Sequence, residues 1–485
     1  MGSSRAHHAQ PRSRALGSGG SCRPSAARTP LSTARCVTSA ASAPSTDSGN
    51  ARAAAPPEHP PILFVHGNGD SAALWMTTLW RFESNGWPRD RLVALNMPHP
   101  LARDDDSKPQ EGRTSSDDQM RTLAADVERI RQRTGADKVV LVGNSRGGNA
   151  IRAYIQNGGG ASAVSHAILG GTPNHGVWAL PGFRLGNEFN GAGPFLSALN
   201  APKGPNGDEV TPGVRWLTIR SDQNDKYAQP DGVWINQRGM ATNVNADGPA
   251  LKGAKNIVLP SRDHREVSYH AEAFAHTFRF ITGRDPVTTA ISPEARVVLD
   301  GLVTATGPGG ATNLPLVGAT VEVYAVNAAT GERRGAALLR TSILADGRWG
   351  PLATDAQTPL EFVVSAPGYA IHHVYRSPFP RSSAVVHLRP ERLSGNDRNA
   401  AAVVSFVRPR GYFGVPRDRI VFDGQSPAPG IPSGVAGVAS SRLTLTDAAS
   451  RAVVGEYQSG AIAERVVGRV WPAADNHLTT LELHH

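Results

Sequence analysis

The apolar run Val139-Val140-Leu141-Val142 passes directly into Gly143-Asn144-Ser145-Arg146-Gly147, and a helical pattern through Ala150, Ile151 and Tyr154 follows. A run so short and so apolar predicts a strand buried on both faces. A chain going from buried strand to helix within five residues must turn sharply. Gly143 and Gly147 remove the Cβ atoms that would clash across that turn, and Gly148 prolongs the tolerance. The serine between them then stands clear of the sheet with its hydroxyl presented outward.

The same alternation of strand and helix extends to both sides. Residues 62–65 form an apolar run that ends in the loop His66-Gly67-Asn68-Gly69, and residues 91–95 predict a second strand. Ser116 with Gln119 predicts a capping box for a helix carrying Met120, Leu123, Val127 and Ile130 on one stripe, closed by Gly135. Residues 164–169, 216–219 and 256–259 supply further strands, and an amphipathic helix runs from about 267 to 281. Continuous apolar strands separated by helices imply an α/β fold with a mostly parallel sheet covered on both faces. The pattern assigns it residues 56–285, ending at Gly283-Arg284-Asp285-Pro286.

Beyond that point the helical period disappears. Thr320-Val321-Glu322-Val323-Tyr324 and Leu360-Glu361-Phe362-Val363-Val364 alternate with period two, and Asp346-Gly347 and Pro367-Gly368 mark turns. Residues 286–392 are expected to form an all-β sandwich. A second β-rich region, 393–485, follows a break at Gly395-Asn396, and the sequence leaves open whether it belongs to the same β domain. A chain of 485 residues has room for two or three domains.

Charge and cysteine content narrow the function. Residues 1–55 carry seven arginines against the single acid Asp47, so six of the chain's nine net positive charges lie there. The rest is nearly balanced and lacks a dense basic face, which argues against a nucleic-acid partner. That leading segment is expected to be a disordered or targeting leader. It holds both cysteines, Cys22 and Cys36, leaving no thiol nucleophile or Cys-bound zinc in the folded part. No apolar run reaches signal-peptide or membrane-spanning length.

A serine in this setting needs a base. Ser261-Arg262-Asp263-His264-Arg265 places His264 in the loop after the strand 256–259, at a sheet's carboxyl end where catalytic groups gather. His270 and His276 fall in the last helix and are expected to be surface or packing residues. The acid that orients the imidazole should follow the strand 216–219, where Asp225 is preferred, Asp222 is the alternative and Asp231 a third candidate. Backbone N–H groups of Asn68 and Arg146 are the expected oxyanion-binding donors. Trp178, Leu180, Phe183, Phe189, Phe195 and Leu196 lie in an apolar, glycine-rich insertion over 177–213. That insertion is expected to form a lid or acyl-pocket wall, with an ordinary packed connection as the alternative.

These residues together resemble the α/β-hydrolase lipases of bacteria and archaea. His66-Gly67-Asn68, the serine turn, the aspartate and histidine loops and Gly171-Thr172-Pro173-Asn174-His175-Gly176 carry the resemblance, the last being similar to a stretch of class 2 lipases. It covers residues 61–283, with Asn144 and Arg146 departing from what many such lipases have at the turn. The resemblance implies hydrolysis of carboxylic esters, small-molecule or lipid, through an acyl-enzyme on Ser145, His264 and Asp225, without metal or cofactor. It gives His175 no firm role. The β region resembles transthyretin-like or carboxypeptidase-regulatory sandwiches, and one archaeal lipase type carries a β domain that assists with lipid substrates. Substrate or interface binding is thus expected of it, beside a purely structural role. A polyester depolymerase and a non-catalytic surface-binding protein on the same scaffold are the rival readings. Location stays open, with secretion or the periplasm favoured by the resemblance.

Overall fold

Strands that are apolar on both faces pair into one sheet with helices on either side. The computed structural model describes residues 59–234 and 239–485; the leader expected over 1–55, with Cys22 and Cys36, lies outside them. The elements run β1 (Ile62–Val65), α1 (Met76–Ser84), β2 (Leu92–Ala94), α2 (Ser116–Thr134), β3 (Val139–Asn144), α3 (Arg146–Asn157), the short α4 (Gly160–Ala163), β4 (Val164–Gly170), α5 (Pro194–Asn200), β5 (Arg215–Ser221), β6 (Lys255–Leu259), α6 (Glu266–Tyr269) and α7 (Ala271–Thr282). The sheet order is β2-β1-β3-β4-β5-β6, with every pair parallel. The order reverses between β1 and β3, and the crevice at the carboxyl ends of those two strands is where an open α/β sheet takes its ligand.

Alternate residues feed two cores. Ile62, Phe64, Val140 and Val142 pack with Phe274 and Phe278 of α7 on one face. Leu63, Val65, Val139 and Leu141 pack with Leu123, Val127 and Ile130 of α2 on the other. This is the pleat's two-residue period acting on a doubly buried sheet.

Two helix boundaries differ from the sequence expectation. The capping box of α2 lies one residue earlier than Ser116 and Gln119. Ser115 Oγ accepts from the Asp118 N–H at 3.1 Å, and the Asp118 carboxylate accepts from the Ser115 N–H at 2.9 Å. The helix expected over 267–281 is split at His270, whose backbone leaves the helical region (φ −58°, ψ 154°). Its Nδ1 accepts from the Glu272 N–H at 3.2 Å and so caps α7.

The C-terminal region is all β. Its main sheet has seven strands, in the order Leu339–Ser342, Thr320–Ala325, Leu360–Ser365, Ile371–Arg376, His477–Glu482, Ala402–Val407 and Ser440–Leu445. The strand His477–Glu482 pairs in parallel with both of its neighbours and joins residues 320–376 to residues 402–445 in one sheet. A three-stranded sheet of Arg419–Phe422, Ala452–Ser459 and Ile462–Arg469 packs on it through Phe406, Phe422, Tyr457 and Leu481. The α/β part enters the β core directly. Met76 and Trp80 of α1 pack among Val321, Val323, Phe362 and Val364, and the Trp80 indole N–H donates to Ser382 O at 2.9 Å.

His372 and His484 are among the β-region histidines that burial keeps neutral. Burial brings His372 down to about 3 and His484 to about 4. Each therefore binds a proton in the unfolded chain below its ordinary pKa near 6.5 but not in the folded one, so stability falls as pH drops through that value. Each costs roughly 1.4 kcal/mol per pH unit below about pH 6 until its folded-state value is reached. We expect the urea midpoint at pH 5 to lie below that at pH 8, with His372→Gln and His484→Gln each flattening the dependence. A midpoint that rises on acidification would contradict this account.

Candidate active site

The chain leaves β3 and enters α3 through Ser145, whose backbone sits at φ 52°, ψ −124°. A non-glycine residue holds such a conformation only where its surroundings over-determine it. Here the Ser145 N–H donates to Gly170 O at 2.9 Å, and Ser145 O accepts from the Gly148 N–H at 3.0 Å. The approach is so close that a Cβ on Gly147 would lie 2.4 Å from Val65 O, and one on Gly148 would lie 1.8 Å from Thr172 Oγ1.

The loops after β5 and β6 bring the aspartate to the histidine. His264 Nδ1 is 2.8 Å from Asp225 Oδ2, and Asp225 Oδ1 accepts from the Tyr227 N–H at 2.8 Å. Both side chains are nearly buried. Among the described residues the other ring nitrogen, His264 Nε2, has no hydrogen-bond partner. His264 and Ser145 line one cavity of about 240 Å³. Asp222 is engaged elsewhere, its Oδ1 accepting from the backbone N–H groups of Gln223 and Ser261 at 2.6 and 2.9 Å. Asp231 caps its own turn through the Val233 N–H. Neither His270 nor His276 lines the cavity.

The loop after β1 faces the same space. His66 is buried, donates from Nδ1 to Gly67 O at 2.8 Å and accepts at Nε2 from the Met97 N–H at 3.1 Å, while burial lowers its pKa. Asn68 Oδ1 accepts from the Ala102 N–H at 2.8 Å, which ties this loop to residues 100–102. Among the described residues no carbonyl or side chain accepts from the backbone N–H of Asn68 or of Arg146, the first residue of α3.

Of the six insertion residues expected at the pocket, Trp178 and Phe189 line it. Phe183 packs edge-on against Trp178 at 5.8 Å and is part exposed. Leu180 lies outside the cavity, its backbone held at both ends by the Asn190 amide. Phe195 and Leu196 also lie outside it. Gly193 and Pro194 start a helix there, α5, and Leu196 and Leu199 bury themselves against Ala153 of α3. His175 pairs with Glu209 at 3.1 Å and braces the insertion's far end.

Several residues of the site carried no recognisable sequence signal. Asn144 directs its amide at His264 O (3.2 Å) and Ser268 Oγ (2.8 Å), tying the serine turn to the histidine loop. The Arg146 guanidinium is fully buried. It forms a bidentate pair with Glu188 at 2.6 and 2.7 Å and donates to Thr114 O at 2.7 Å. Tyr227 packs edge-on against the His264 ring at 4.6 Å, and Tyr412, from the β region, is a cavity wall. The one available hint was Glu188, an acid set among the glycine and apolar residues of the first half of the insertion. Among the described residues, no group of three or more His, Cys, Asp or Glu could hold a metal ion, and no helix is long and apolar enough to cross a membrane.

Residues 60–196 match the family model of the alpha/beta hydrolase fold, and residues 295–393 match that of the lipase C-terminal domain. Among solved structures, Aspergillus fumigatus lipase B is 17% identical over 48% of this chain and 54% of its own, with a TM-score of 0.32. This chain thus spans about half of that enzyme's length. Bacillus licheniformis lipase BlEst2 in mature form is 21% identical over 44% of this chain and 87% of its own (TM-score 0.30). Its propeptide form is 16% identical over 86% and 94% (TM-score 0.34).

The Arg146–Glu188 pair gives a direct test of how the insertion is held. Removing one partner of a buried pair strands the other charge, at a cost of about 3–5 kcal/mol. Glu188→Ala should therefore lose about that much unfolding free energy in urea. The double variant Arg146→Met/Glu188→Met should lose less than the single one. A double variant less stable than Glu188→Ala would refute this electrostatic reading.

Proposed function

Since the chain is an α/β hydrolase of the lipase type with a C-terminal β domain, we propose that it hydrolyses carboxylic esters through a serine acyl-enzyme. The observation that carries the reading is the 2.8 Å pairing of His264 Nδ1 with Asp225, together with an unpartnered Nε2 on the cavity that Ser145 lines. In this mechanism Ser145 attacks the ester carbonyl while His264 Nε2 takes its proton. Asp225 fixes the tautomer with the proton on Nδ1 and stabilises the imidazolium. The N–H groups of Asn68 and Arg146 receive the tetrahedral oxyanion, a role consistent with their lack of internal acceptors. His264 then protonates the departing alkoxide, and water activated by the same nitrogen releases the acid.

The cavity supports a discrete, modest-sized ester as substrate. Trp178, Phe189, Tyr227 and Tyr412 make aromatic walls around a space of about 240 Å³, below the usual range for drug-sized ligands.

Initial rates on p-nitrophenyl esters of two to sixteen carbons test this reading. We expect activity to peak at short acyl chains. Ser145→Ala and His264→Ala should each lose about 10³-fold or more in kcat. Asp225→Asn should lose about 10²- to 10⁴-fold, with Asp222→Asn staying within about threefold because it only caps a loop. An unimpaired Ser145→Ala enzyme would end the proposal.

A further inference from the structure

Both loops that carry the Asp225–His264 pair are gripped from outside the α/β sheet. On the histidine side, Asp263 and Glu266 flank His264 and are wholly buried. Arg408 reaches in from the β region and donates to Asp263 Oδ2 at 2.9 Å and Glu266 Oε1 at 2.6 Å. The Tyr412 N–H reaches the same Asp263 oxygen at 2.8 Å, and Arg417 takes the other Glu266 oxygen at 2.7 Å. On the aspartate side, Asn224 Oδ1 accepts from the Ala436 N–H at 2.9 Å, and Lys226 Nζ donates to Gly437 O at 3.2 Å.

We propose that residues 408–437 of the β region belong to the hydrolytic machinery, with Arg408 the positioning residue of the histidine loop and Tyr412 a wall of the substrate cavity. The inference rests on the role given above to Ser145, His264 and Asp225. Two buried carboxylates three residues apart repel each other and are costly to desolvate, so the loop holds this shape only while a planar, two-pronged cation spans both. Arg408 does so without lining the cavity itself. The imidazole between those carboxylates is thereby set in direction, and a displacement near 1 Å is enough to cost about 10²-fold in rate. Tyr412 follows Arg408 by four residues and stacks on Lys226 and Arg265, so the clamp and the wall are one loop.

Gly411 allows a test that leaves every charge in place. A Cβ there would lie 2.3 Å from Arg408 Nη1 and 2.4 Å from its Cζ, so Gly411→Ala must push the guanidinium off its partners. The variants Gly411→Ala, Arg408→Met and Arg408→Lys are compared in the full chain. Steady-state turnover is normalised to the sites titrated by a fluorophosphonate, and folding is followed by circular dichroism and the thermal midpoint. We expect Gly411→Ala and Arg408→Met to lose about 30-fold or more in kcat per titrated site with KM within about threefold. Arg408→Lys should recover part of that loss. If Arg408→Met does not fold, Gly411→Ala alone decides. A merely architectural role lowers the thermal midpoint and leaves kcat per titrated site unchanged, and that outcome overturns the proposal. Wild type that neither turns over esters nor is labelled at Ser145 overturns the hydrolase reading itself.

Discussion

Ser145 keeps a positive φ because three strand ends and a helix start meet there at close range. Gly147 lies against the β1 backbone, Gly148 lies against Thr172, and the Ser145 N–H is committed to Gly170 at the end of β4. Three strands therefore converge on one residue. A strained backbone of this kind costs of order 1–3 kcal/mol and persists only where its neighbours leave no alternative. The crevice at the β1–β3 reversal and the approach of the histidine loop both follow from that convergence.

Charge does the remaining positioning, at a considerable desolvation cost. Burial alone would raise Glu266, but Arg408 and Arg417 hold it down to about 2. Asp263 moves the other way, pushed up by burial and by Glu266 despite Arg408. Replacing such groups with well-packed apolar residues often costs nothing in stability. What an apolar contact lacks is direction. Arg146 to Glu188 and Arg408 to its two acids each fix an angle and a distance between segments far apart in sequence, near the atoms whose alignment matters most.

The α/β fold and the serine–aspartate–histidine set could be read from the chain because they rest on local rules. Apolar runs mark the doubly buried strands, glycines mark the sharp turn, and the serine, aspartate and histidine each follow the carboxyl end of such a strand. The capping of α2 moved by one residue because Asp118 serves at N3 as well as Gln119 would have one position later. The break at His270 was hidden because a histidine rarely caps a helix. Phe195 and Leu196 carry the same apolar signature as Trp178 and Phe189, yet Pro194 sends them into a helix packed on α3. The side-chain roles of Asn144 and Arg146, and the place of Tyr412 beside Asp263, could not be recognised, since the partners lie 42 to 149 residues away and nothing in the local pattern names them.

The strand His477–Glu482 sits in the middle of its sheet, hydrogen-bonded on both sides. A central strand that is also the last to be synthesised among those described sets an order of events. The parallel sheet holding Ser145 has all of its strands once residue 259 is available, whereas the β sheet cannot close until residue 482 has emerged. Met76 and Trp80 have no β core to enter until residues 297–388 have emerged, and until residue 482 follows two sheet edges stand open to pairing with other chains. Assembly of this protein therefore has a built-in waiting period between an early α/β sheet and a late β closure.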